Sequence, residues 1–358
     1  MFSKEAVKHA EACRFCWMCR HICPVANSTG NEGWTPRAKG LMVSMIERGT
    51  EFDDGIADAM YHCTFCEACA NDCATGFKPS EYIRAARTQA LVDGIAPVVV
   101  TDAIDRIMDT GSIYVTDAEA EYASDTDAKI LLYMGQTVRA QLPEMGKQAA
   151  GILRKAGVQV QVMAKEPDSG AYLAELMGFT GDVQNVAKET AQLIEATGAT
   201  TLVVLNPADA HMFRDQYGKW ELLKGVEIVT FTAFVDQLMA DGKLQSVAMN
   251  RKASLHEPVK LTRGLEEELP LKNLLAAAGV ENIEMFLHGK MSRCVGTVPF
   301  EFTAPVVVKE MVRVRVEDAL RMESKAIVTA SPDDYYIMKK YAPGIEILDL
   351  VELLYTQC

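Results

Sequence analysis

The sequence predicts an α + α/β protein: an N-terminal helical domain carrying two cysteine runs, then two tandem α/β repeats with parallel sheets. Three observations predict it. Eight of the ten cysteines lie between residues 13 and 73 in two copies of one spacing, with helical sequence between and after them. From residue 130 onward, short apolar runs alternate with segments of helical period. Within that second part, VVLNPADAHMFRDQYG near 203 returns as VTASPDDYYIMKKYAP near 328, so that Asn206 corresponds to Ser331 and Asp209 to Asp334.

A chain of 358 residues exceeds one ordinary domain, and 49% hydrophobic with 24% charged residues is a globular composition. The net charge of −13 excludes a nonspecific nucleic-acid binder, which needs a basic stripe, and disfavours an anionic membrane surface. The opening MFSKEAVKHAEAC has no apolar core before a cleavage site, so no signal peptide is expected. No apolar run reaches the length of a spanning helix. The expected location is cytoplasmic, with peripheral contact with the inner membrane face as a second placement. Cysteines of an unexported chain are expected to be metal ligands rather than disulfides.

The first run is Cys13, Cys16, Cys19 and Cys23; the second is Cys63, Cys66, Cys69 and Cys73. Each reads C-x2-C-x2-C-x3-C. Three cysteines three residues apart wrap one face of an iron-sulfur cubane, and in two-cluster ferredoxins of this spacing the fourth ligates the other cluster. The expected ligand sets are therefore Cys13, Cys16, Cys19 and Cys73 for one [4Fe-4S] cluster, and Cys63, Cys66, Cys69 and Cys23 for a second. Zinc is the alternative, but structural zinc sites take two close pairs rather than three cysteines in seven residues.

Between the runs, TPRAKGLMVSMIERG predicts a helix capped by Thr35, with Pro36 in its first turn and Gly49 as its stop. After the second run, KPSEYIRAARTQALVDG predicts another, with Ser80 as cap and Gly94 as stop.

With these helices, residues 1–95 resemble the α-helical dicluster ferredoxin domain of fumarate reductase iron-sulfur subunits, heterodisulfide reductase subunits and glycolate oxidase iron-sulfur subunits. TPRAKG is similar to the Ser-Pro-Arg-Gly-Arg that follows the first run in the glycolate oxidase type. Ala74 stands where that family has proline, without loss of a ligand.

Residues 96–129 read as a linker. The repeats are expected at 130–244 and 245–358, with strands at ILLYM, VQVQV, TLVVL, VEIVTF, IEMFL, AIVTAS and IEILDL. This half resembles the tandem CCG-type cysteine-rich domains of heterodisulfide reductase and glycolate oxidase subunits, and HEPVKLTRG at 256–264 is similar to the family's His-Asp-Pro-Cys-x-x-Gly-Arg. The family's cysteine positions fall here on Gln136, Asp168, Ser169, Asn206 and Asp209, then on Val259, Cys294, Val295, Ser331 and Asp334. Nine of the ten are not cysteine, and iron-sulfur irons select thiolates, so no cluster is expected in this half. A hard-metal or acid/base site at Asp168, Asp209, Asp334 and His256 is the alternative to helix capping by the x-Pro-x-Asp phrases.

Cys294 and Cys358 read as free thiols, and His21 and His62 stand beside cluster cysteines where a ring could donate to cluster sulfur. No P-loop, dinucleotide fingerprint or serine-nucleophile motif is present.

The resemblance implies an iron-sulfur electron-transfer subunit of an oxidoreductase, without a catalytic residue of its own. Its implied partner is an FAD-dependent dehydrogenase of the glycolate or D-lactate type, the FAD residing in that partner. A further acceptor would be an electron-transfer flavoprotein, a ferredoxin or a quinone-linked protein. A disulfide or quinone reductase subunit and a soluble ferredoxin-like shuttle are the alternatives. Arg14, Arg20 and His21 accompany the first run while Glu67 and Asp72 accompany the second, so the first cluster is expected to reduce first. The emptied repeats are expected to dock the partner, leaving a chain cut near Asp127 able to hold both clusters.

Overall fold

A computed structural model describes residues 2–115, 121–247 and 250–357; Cys358 lies outside them. The architecture is α + α/β, as the sequence predicts. Helices Lys4–Glu11, Pro36–Glu47, Asp54–Tyr61 and Pro79–Val92 enclose a core of Phe2, Val43, Met60, Phe77, Tyr82 and Ile83. Thr35 caps the second of these, its hydroxyl accepting from the Ala38 N–H, with Pro36 in the first turn. Ser80 is not a cap. Its helix begins at Pro79, whose fixed φ and missing N–H suit the first turn, and Ser80 lies buried inside it.

The segment expected to be a linker contains the helix Val98–Thr110, which buries Val100, Ala103, Ile104 and Ile107. That stripe has helical spacing, but the β-branched run at its start hides it. The helix packs against helices Ala171–Met177 and Val298–Thr303 of the two repeats.

Each repeat is a four-stranded parallel sheet. The first comprises β1 (Ile130–Tyr133), β2 (Val160–Gln161), β3 (Thr201–Val204) and β4 (Glu227–Thr230), in the order β2-β1-β3-β4. The second comprises β5 (Arg251–His256), β6 (Val280–Asn282), β7 (Ala326–Thr329) and β8 (Glu346–Asp349), in the order β6-β5-β7-β8. The two orders are the same. The register aligns Leu132 with Val203 and Val203 with Val229 in one sheet, and Leu255 with Val328 and Val328 with Leu348 in the other.

Two strands differ from expectation. β5 is central in its sheet yet reads RKASLH, its polar Ser254 and His256 breaking the apolar run; both are fully buried. β6 precedes IEMFL, of which Ile283 alone continues the ladder through a hydrogen bond to Ala253.

The helical domain and the repeats share one apolar core, in which Val25, Tyr61 and Ala90 pack with Tyr172, Leu176, Val308 and Val312. Gly178 marks their closest approach. Its φ is +77°, and a Cβ there would stand 2.5 Å from Thr88 Oγ1 and 3.2 Å from the Arg84 carbonyl oxygen. None of the described helices is long and apolar enough to cross a membrane.

Candidate iron-sulfur centre and adjoining cleft

The two cysteine runs fold alike. Phe15 and Trp17 in the first, Phe65 and Glu67 in the second, take left-handed backbone conformations, with φ of 56°, 68°, 47° and 58°. Short helices Met18–Ile22 and Ala68–Asn71 follow. Alternating the hand of successive residues turns a chain tightly around one centre, at a cost of order 1 kcal/mol for each left-handed non-glycine residue.

The runs are interlocked at their fourth cysteines. Cys73 Sγ lies 3.3 Å from Thr75 Oγ1, and that hydroxyl donates to the carbonyl oxygen of Ala12, beside Cys13. Burial pushes the Cys19 thiol up to about 11, and Cys13, Cys16 and Cys73 are the thiols close enough to add to it. Cys23 is pushed up to about 12 by burial; Lys39 opposes the shift, while Cys66 and Cys63 add to it. A cavity is lined by Cys23, Cys63, Cys66 and Cys69, together with Lys39 and His62. Among the described residues no three side chains of Cys, His, Asp or Glu meet at single-ion distance. The thiols thus surround spaces larger than one ion, and four soft sulfurs around each fit an iron-sulfur cluster.

The surroundings of the two spaces differ. Cys16 is exposed and the Phe15, Trp17 and Met18 side chains around it are half-exposed. The second space lies under the repeats. Lys39, 1% exposed, donates from Nζ to the carbonyl oxygens of Trp34 and His62 at 2.6 and 2.7 Å. Arg87, 2% exposed, donates to the carbonyl oxygens of Met60, Tyr61 and Cys63, and from Nη1 to that of Glu175 in the first repeat. The second repeat contributes the π-helical turn Lys260–Gly264, from which Lys260 Nζ donates to the Phe65 carbonyl and Arg263 Nε to that of Cys66.

Sequence reasoning missed Lys39, Arg87, Lys260 and Arg263. Three of them stand in phrases already singled out: Lys39 in TPRAKG, and Lys260 and Arg263 in HEPVKLTRG. By contrast Arg14 and Arg20 are exposed, Arg20 pairing with Glu32. His21 is exposed as well, whereas His62 stacks on Trp34 at 3.6 Å between ring centres, its Nδ1 lying 2.9 Å from the Asp58 carbonyl oxygen. Burial holds His62 below its ordinary value, favouring the neutral ring. Cys294 is buried and close to Cys66, with burial the main cause of its raised thiol pKa.

The positions corresponding to the family's lost cysteines satisfy one another. Gln136 Nε2 donates to Asp168 Oδ1 at 2.7 Å, and Ser169 Oγ to Asp209 Oδ1 at 2.5 Å. Asn206 and Ser331 cap the helices that follow them, accepting from the N–H groups of Ala208 and Asp334. The caps are thus the residues before proline rather than the aspartates. Asp334 Oδ2 lies 3.3 Å from His256 Nε2. Asp168, Asp209 and Asp334 therefore have separate partners and form no shared metal site among the described residues. Between the repeats lies a cleft of about 70 Å³ lined by Asn206, Ser331, Asp333, Arg84, Lys260 and Phe65, among others. Phe65 also lines the cavity of the second thiol set.

Fold and site together define an iron-sulfur electron-transfer protein, its clusters carried by the helical N-terminal domain. Residues 9–77 match the 4Fe-4S dicluster domain family. The whole chain is similar to a dihydromethanophenazine:CoB–CoM heterodisulfide reductase subunit of Methanosarcina mazei, 22% identical over 90% of this chain and 86% of that one. It is also similar to a probable membrane-anchored ferredoxin of Chromohalobacter salexigens, 24% identical over 70% of this chain; the match spans only 40% of that protein's length. The resemblance to iron-sulfur subunits of the heterodisulfide reductase type thus holds. A solved hypothetical protein from Helicobacter pylori shares the fold across 99% of this chain and 72% of its own, with a TM-score of 0.64 and 12% identity.

Proposed function

We propose that this chain is the iron-sulfur electron-transfer subunit of a multi-subunit oxidoreductase, exchanging single electrons with an FAD-dependent dehydrogenase of the glycolate or D-lactate type. Cys13, Cys16, Cys19 and Cys73 would hold one [4Fe-4S] cluster, and Cys63, Cys66, Cys69 and Cys23 the other. Such clusters, when bound, take up and release one electron each. The observation that carries the reading is the interlocked pair of four-thiol sets, one at the surface and one beneath the repeats.

The chain's own residues supply the environment. Lys39 and Arg87 place positive charge beside the inner set, and the backbone of each run wraps its thiols. No catalytic residue is assigned to this chain. A flavin in the partner accepts an electron pair and releases it singly, which matches one-electron carriers.

Similarity to a heterodisulfide reductase subunit supports the disulfide-reductase alternative, but of the ten cysteine positions of its repeats this chain keeps Cys294 alone. Anaerobic affinity purification of the chain from its own cells tests the proposal. The expected result is a stoichiometric FAD-containing polypeptide and bleaching of the iron-sulfur absorbance by glycolate or D-lactate. Disulfide reduction by the purified chain alone would favour the reductase, and several substoichiometric redox partners without flavin would favour the shuttle.

A further inference from the structure

Among the described residues, the cleft between the repeats has unpaired positive charge and no unpaired negative charge. Each acid on its lining has a partner. Asp215 pairs with Lys219 at 2.9 Å, Glu175 accepts from the Thr297 hydroxyl, and Asp334 lies beside His256. Asp333 Oδ1 accepts from Thr137 Oγ1, Tyr172 OH and Asn206 Nδ2 at 2.6, 2.7 and 3.2 Å.

The cations differ. The Arg84 guanidinium lies over the Phe65 and Phe179 rings, 4.6 and 4.7 Å from their centres. Among the described residues its side chain has no hydrogen-bond acceptor and no carboxylate. Lys260 has one neutral acceptor, the Phe65 carbonyl, and no carboxylate. A guanidinium fixed between two aromatic planes keeps its donor fork oriented at little entropic cost, which suits bidentate recognition of a carboxylate.

We propose that this cleft binds a small hydroxylated monocarboxylate, its carboxylate on Arg84 and Lys260 and its hydroxyl toward Ser331 and Asp334. Size and charge select this class. A space of about 70 Å³ holds roughly five waters, matching a two- to four-carbon acid. Asp333 and Asp334, at the inner end, oppose a dianion. Phe65 alone lines both this cleft and the cavity of the inner thiol set, so a bound anion lies one aromatic ring from that set. The inference rests on the cleft's own geometry and stands whichever redox partner the chain has.

Titration calorimetry of the anaerobically purified full-length protein with glycolate, D-lactate, acetate and inorganic phosphate tests it. Glycolate or D-lactate is expected to bind at least tenfold more tightly than acetate or phosphate, and Arg84→Gln and Lys260→Met each to weaken that binding at least tenfold. Ligand binding should also perturb the EPR signal of one cluster and leave the other unchanged. Should Arg84→Gln lose iron, Arg84→Lys carries the test, because it keeps the charge and removes the fork. Absence of binding at 10 mM (a ceiling of about −3 kcal/mol), tighter binding of phosphate, or unchanged affinity in the iron-replete Arg84 variant overturns the proposal.

Discussion

Arg263, in the second α/β repeat, donates its Nε–H to the carbonyl oxygen of Cys66 at 2.6 Å. The relationship spans 197 residues. It makes the repeats part of the second cysteine loop's support, along with Lys260 on Phe65 and Arg87 between Cys63 and Glu175. The expectation that the helical domain holds both clusters unaided is therefore revised.

Arg87→Gln is predicted to destabilise the protein by about 3–5 kcal/mol, because carbonyls buried beneath the repeats lose their donors at roughly 1–3 kcal/mol each. Thermal unfolding and iron content should fall together. A chain ending at Asp127 is predicted to lose the inner cluster within hours under anaerobic dialysis while retaining the outer one. Equal loss of both would show that the repeats do not support the inner loop selectively.

The crossed ligand sets predict which spectrum each variant changes. Cys23→Ser should alter the cluster of the second run, and Cys73→Ser that of the first, although each residue belongs by sequence to the other run. Iron analysis of the unmodified chain should give about eight irons. Mössbauer and EPR spectra in which Cys23→Ser behaves like Cys16→Ser would assign the ligands run by run instead.

Charge burial reverses the order of reduction expected from sequence. Arg14 and Arg20 are exposed to solvent screening, whereas Lys39 and Arg87 are buried beside Cys63. The inner cluster is now predicted to reduce first. A unit charge roughly 8 Å away at an effective dielectric near 20 contributes about 2 kcal/mol, on the order of 90 mV for a one-electron couple. Lys39→Met should lower the inner potential by up to that amount in an EPR-monitored titration, and Arg14→Gln should move the outer one far less.

Asp333 joins the repeats through Thr137, Tyr172 and Asn206, and burial pushes its carboxyl up to about 6. Between the unfolded value near 4 and about 6, the folded state binds the proton more tightly, so stability falls as pH rises through that window and is flat above it. This group contributes a loss of about 1–1.5 kcal/mol between pH 5 and 7. Asp168, also pushed up to about 6 by burial, adds in the same direction. Urea unfolding of the α/β half at pH 5, 6 and 7 should show the decline, and Asp333→Asn, which keeps the Oδ1 acceptor, should reduce it.

Local signals were legible. The cysteine spacing, the Thr35 cap with Pro36, and the recurring strand-Pro-Asp phrases each depend on neighbours within a turn or two, so sequence order carries them. β3 begins at Thr201 and β7 at Ala326, reproducing the 125-residue offset of the phrases. β5 was not legible, because a central strand whose Ser254 donates to the Ile283 carbonyl and whose His256 faces Asp334 has no apolar run to announce it. The helix Val98–Thr110 was hidden by three valines at its start.

By itself the sequence determined the chemical class: eight thiols at a spacing that suits cubanes, ahead of a duplicated α/β frame whose ligand positions had changed. Tertiary structure decided where the fourth cysteine of each run lies, which cations are buried beside the inner set, and that a cleft with two unpaired cations adjoins it. The physical reason is distance along the chain. Lys39 and His62, Arg87 and Glu175, and Arg263 and Cys66 meet only when helices and sheets pack, and their charges act strongly only after packing excludes the water that would screen them.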